Sequence, residues 1–122
     1  MAPSIETYLI DDMREVISGF LSEYRSAVYA DGRVTETRTI RVVIPLKKFR
    51  KHLRNRIVGR RRMDDFGDPV LKALKRASVP SYAELRKKWL PAVLKDDSDA
   101  VITTEAIELT LVVPPNRNAH AR

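Results

Sequence analysis

Residues 33–62 read RVTETRTIRVVIPLKKFRKHLRNRIVGRRR, and the fold turns on the change of rhythm at Pro45. Before the proline the chain is rich in β-branched residues, and Val34, Ile40, Val42 and Ile44 share one parity. Side chains of an extended chain alternate between two faces, so shared parity predicts a strand over about 33–44 with one buried face. After the proline, Leu46, Phe49, Leu53 and Ile57 recur at steps of three and four. That spacing places them on one face of a helix, anchored through its apolar side. Gly59 reads as the C-cap, because glycine accepts the left-handed conformation, and Arg60, Arg61 and Arg62 follow as a short exposed arm.

The remaining faces of this helix are cationic. From Lys47 to Arg62, nine of sixteen residues are Lys or Arg and none is acidic. The whole chain has 23 basic and 16 acidic residues; without these nine, 14 basic face 16 acidic, so the +7 charge is a local feature. The candidate site residues are therefore Lys47, Lys48, Arg50, Lys51, Arg54, Arg56, Arg60, Arg61 and Arg62. Six of the nine are Arg, whose planar fork matches phosphate oxygens in pairs. Cations spread along a helix neutralise successive phosphates and release condensed counterions, which gives affinity without sequence preference.

The expected function is that of a small non-enzymatic basic protein that binds nucleic acid, DNA or RNA, mainly through phosphate-backbone contacts. The alternative is a structural subunit of an oligomeric assembly, such as a phage or viral head-tail component, whose basic helix faces acidic neighbours or packaged genome. A second basic set, Lys72, Lys75, Arg76, Arg86, Lys87 and Lys88, reads as the solvated side of helices buried elsewhere.

Working towards the N-terminus, Ser4 is a candidate N-cap with Glu6 in the first turn, and Ile5, Leu9, Met13, Val16, Phe20 and Tyr24 follow at helical spacing. A long amphipathic helix is expected over 5–29, ended by Asp31-Gly32. The same dipeptide could instead turn a hairpin beginning at Arg25, but the unbroken stripe favours the helix.

Towards the C-terminus, Asp68-Pro69 opens a short helix ending near Ser78. Ser81 and Glu84 have capping-box spacing ahead of another helix carrying Tyr82, Leu85, Trp89 and Val93, interrupted at Pro91. Trp89 is expected in the core with its indole N–H near a surface. Val101, Ile107, Leu109, Leu111 and Val113 share a parity, so residues 100–113 read as the second strand. The fold class is thus α+β, with a long N-terminal helix and two strands joined by three helices. Residues 1–113 are expected to form one domain and 114–122 a mobile tail.

Strand direction can be argued from charge. With the strands parallel at an offset of 67, Arg38 meets Glu105, Arg41 meets Glu108, and Ile40, Val42 and Ile44 meet Ile107, Leu109 and Leu111. An antiparallel register pairing the same charges sets Ile40 against Ala106, mixing apolar and polar stripes. The expectation is a parallel pair with a right-handed crossover. A thin sheet leaves edges that invite another chain, so a homo-oligomer is expected.

Several chemistries are disfavoured. There is no cysteine, and with only His52 and His120 a zinc site within one chain is not expected. The groups Asp64, Asp65, Asp68 and Asp96, Asp97, Asp99 read as turn and cap residues rather than metal ligands. No serine has a base partner and no glycine-rich phosphate loop is present, so no enzyme activity, cofactor or small-molecule substrate is expected. No apolar run approaches the roughly 18 residues needed to span a bilayer, and the N-terminus lacks the order of a secretion signal. The expected location is the cytoplasm or a virion, without membrane association.

Overall fold

The computed structural model describes residues 5–63 and 79–116, with side chains for 6–59 and 79–116. The helix expected over 68–78 lies outside them. Helix α1 (Ile5–Asp31) is followed by strand β1 (Arg38–Pro45) and helix α2 (Leu46–Met63). A further helical run comprises α3 (Tyr82–Glu84), a π-helical turn (Leu85–Trp89) and α4 (Leu90–Val93). Strands β2 (Val101–Ile102) and β3 (Ala106–Val113) follow. Among the described residues no helix is long and apolar enough to cross a membrane.

The sheet has the order β1-β3-β2 and is antiparallel throughout, which corrects the parallel expectation. Ile40 faces Leu111, Val42 faces Leu109 and Ile44 faces Ile107, so the apolar stripes coincide without Arg38 meeting Glu105. Arg38 lies opposite Val113, and Arg41 opposite Thr110. Long side chains make the direct charge pairing unnecessary: Arg41 donates to Thr110 Oγ1 at 3.0 Å and reaches diagonally to Glu108 at 3.9 Å. The end of β1 sits beside the start of β3, Pro45 opposite Ala106, so the intervening helices return to the end of the sheet they left and no crossover is made. The ladder continues one step into α2, whose Leu46 N–H donates to the Glu105 carbonyl at 2.8 Å.

Strand β1 begins at Arg38, five residues later than expected, and the second strand is shorter than expected because Thr103 breaks it. Its Oγ1 accepts from the Ala106 and Glu105 amides at 2.9 and 3.2 Å, and its own amide donates to the Ala106 carbonyl at 2.9 Å. A threonine hydroxyl that satisfies the backbone locally competes with the ladder. The turn folds β2 back on β3, ending the parity run, and Val101 is consequently exposed.

The helices cover one face of the sheet. Val42, Ile44, Phe49, Leu53, Leu85, Leu90, Ile107 and Val113 have no exposed surface, and Leu9, Met13, Val16, Ile17 and Phe20 of α1 close the layer. Farther along α1 the stripe gives way to hydroxyl contacts. Tyr24 is partly exposed and donates to the Val43 carbonyl at 3.1 Å, while Tyr29 donates to the Pro114 carbonyl at 2.7 Å. Val34 is buried, and its carbonyl accepts from the Asn116 amide at 2.9 Å.

The capping box before α3 is complete: Glu84 N–H donates to Ser81 Oγ at 3.2 Å and Ser81 N–H to Glu84 Oε1 at 2.9 Å. The Ser81 amide first, then its hydroxyl, with Lys88 nearby, hold the Glu84 carboxyl below its ordinary value. Pro91 does not end the run. A proline lacks the amide for the helical ladder and crowds the carbonyl four residues back, and the π-helical turn just before it, with Leu90 N–H donating to the Leu85 carbonyl, widens the helix there. Trp89 is buried under this turn, with Lys88 Nζ 4.6 Å from the ring centroid. Its indole N–H finds no acceptor among the described residues.

Candidate nucleic-acid interface

Helix α2 is mounted as its spacing requires. Leu46, Phe49, Leu53 and Ile57 are buried, and the helix runs through Gly59 to Met63, so Gly59 is an interior residue rather than a cap. Arg60, Arg61 and Arg62 thus continue the helix; their side chains lie outside the described residues.

The other six candidate cations divide into two groups according to their angle from the buried face, at about 100° per residue. Arg50 and Arg56 flank that face and are tied to other elements. Arg50 donates from Nε to the Pro80 carbonyl at 2.8 Å, and its guanidinium carbon lies 5.3 Å from the Tyr82 ring centroid. Arg56 donates from Nε to Oδ1 of Asp12 at 3.0 Å; Asp12 is wholly buried while Arg56 keeps part of its side chain in solvent. These two arginines hold α3 and α1 against α2.

Lys47, Lys48, Lys51 and Arg54 point away from the core and are exposed. Lys47, Lys51 and Arg54 form one stripe at spacings of four and three, about 10 Å long, with Lys48 beside it. Lys47 and Lys48 also occupy the first turn, which has no acidic residue. The amino end of a helix carries partial positive charge, so cations are locally unfavourable there and a carboxylate would suit the helix better.

Phe49 is fully buried and cannot stack on a base. The exposed His52 packs against Phe20, with ring centroids 4.8 Å apart and planes inclined by 56°. It borders a small cleft of about 190 Å³ between α1 and α2 that also includes Glu15, Glu23 and Arg56. Asp12 leaves little mark in the sequence. Its one signal is position: an acid between Leu9, Met13 and Val16, close enough to the apolar stripe to be carried under a neighbouring helix.

Comparison with protein-family models, curated proteins and solved structures finds no match to this chain.

Proposed function

We propose that this chain is a small, non-enzymatic nucleic-acid-binding protein whose contact surface is the outer face of α2. The observation that carries the reading is the exposure of Lys47, Lys48, Lys51 and Arg54 on a helix without a single carboxylate, two of them where the helix itself disfavours a cation. Such a face contacts backbone phosphates and reads no base edges, because none of its exposed side chains is held in a fixed bidentate geometry. Arg60, Arg61 and Arg62 extend the same helix and add to its charge. A role inside a cell or a virion, and assembly into a homo-oligomer, accompany this reading.

Binding to labelled duplex and single strands across a salt series tests it. Four contacts give a log-log slope of about −3.6 on duplex and about −2.8 on single strand, and further arginines steepen both. No detectable binding at low salt would remove the proposal.

A second reading, a subunit of a larger assembly, is favoured by a separate observation: an acidic-rimmed apolar groove lies on the side of α1 opposite to α2.

A further inference from the structure

We propose that this protein associates head to tail, the outward stripe of α2 on one copy seating in the groove between α1 and residues 93–98 of the next. The proposal deepens the assembly reading. It shares α2 with the nucleic-acid reading but requires a different ligand, so the two compete for one surface.

The groove is open and has a volume of about 510 Å³. Ile17, Leu21, Val93 and Leu94 give it an apolar floor, and the exposed Asp96 and Asp97 stand at its rim. Arg14 also lines it, with its guanidinium turned to Asp11 at 4.0 Å. On a chain of net charge +7, this acidic rim attracts the cationic surface of another copy.

The shape of α2 supplies the match. Val58 is 37% exposed and continues the Lys47, Lys51, Arg54 stripe at a further step of four. An apolar side chain at the end of a cationic stripe gains nothing from phosphate. Against an apolar floor bounded by carboxylates, Val58 loses water contact while Lys51 and Arg54 meet Asp96 and Asp97. A copy cannot satisfy its own groove. The α1 residues lining the cleft beside α2 (Glu15, Val16, Gly19, Phe20, Glu23) and those lining the groove (Arg14, Ile17, Ser18, Leu21) are centred about half a turn apart around α1. Each copy therefore presents one stripe and one groove on opposite sides. This is a heterologous contact, which closes into rings or extends as filaments.

Sedimentation at about 50 mM and about 500 mM salt tests the proposal, because the higher salt screens charges over a few ångströms. The expected result is a mass well above the 14.0 kDa monomer at low salt and near it at high salt. Asp96→Lys with Asp97→Lys, and separately Lys51→Glu with Arg54→Glu, should each lower the association constant at least about tenfold. Mixing the two variants should restore a two-chain complex, since one retains a native stripe and the other a native groove; this rescue also shows that both fold. Val58→Ser should weaken association yet leave the salt slope on duplex DNA unchanged, and the Asp96, Asp97 variant should keep its duplex affinity. A wild-type mass that stays at 14.0 kDa at low salt overturns the proposal. So does a dimer that persists in both charge-reversal variants, which would place the contact elsewhere, such as the outer face of the sheet.

Discussion

Replacing Lys47, Lys48, Lys51 and Arg54 together by alanine isolates the outer face of α2 from every other cation in the chain. Each phosphate contact contributes about 0.9 to the log-log salt slope on duplex DNA, so losing four makes the slope shallower by about 3.6. Between about 50 and 200 mM salt, a fourfold change, the wild type then loses about 150-fold more affinity than the variant. Because the measured quantity is a difference, phosphate contacts made by Arg60, Arg61 and Arg62 cancel. Fluorescence anisotropy of a labelled duplex over the salt series supplies both slopes.

The same substitutions should not weaken the fold. All four side chains are exposed, alanine is the best helix former, and removing two cations from the first turn relieves a repulsion of a few tenths of a kcal/mol. The urea midpoint of the variant is therefore expected at or slightly above that of the wild type. This combination separates a lost ligand surface from a lost fold. A stable variant whose salt slope stays within about one unit of the wild type would refute the reasoning, because α2 would then not be where phosphate binds.

Leu53→Ala, at a position with no exposed surface, should lower unfolding free energy by about 2 to 5 kcal/mol in urea denaturation; a loss below about 0.5 kcal/mol would mean the site can collapse around the smaller side chain. Arg56→Ala should cost about 1 to 2 kcal/mol, less than for a fully buried pair because the arginine is partly solvated, and should change the salt slope by less than one contact. Glu84→Gln tests the cap through pH. The folded-state pKa of Glu84 lies below its unfolded value, so its contribution is fully present above the unfolded pKa and is lost as pH falls through the folded one. The variant should be less stable than the wild type at neutral pH, with the gap closing on acidification; a gap that does not change with pH would show that the carboxylate charge plays no part.

The apolar stripes located both long strands and the core face of α2, because burial selects side chains by parity or helical angle and leaves that periodicity in the sequence. Strand direction leaves no such trace. Val42 pairs with Leu109 in the observed antiparallel register, and the same pair is formed in the parallel register argued from charge. Reversing β3 about that pair exchanges Ile107 and Leu111 and keeps every buried residue buried. Only ion pairs worth about 0.2 to 1 kcal/mol at this exposure distinguish the two directions, and the length of an arginine side chain satisfies them along a diagonal. Thr103 was hidden for a related reason. Threonine suits a strand and can also close a turn with its hydroxyl, and residue type alone does not distinguish these uses.

The candidate site shows the same division. Sequence counts charge along α2, but what each cation can do depends on what stands beside it at its angle around the helix. Arg50 and Arg56 differ from Lys51 and Arg54 in having a backbone carbonyl and a buried carboxylate within reach, and both partners come from segments distant in the chain. An arginine serves well in such places because its stem packs against apolar surface while one edge of the guanidinium makes a directed bond. Arginine content therefore overstates the free surface, and the two lysines of the first turn carry more of the weight of the proposed contact. They anchor nothing else among the described contacts, and the helix would be better off without them.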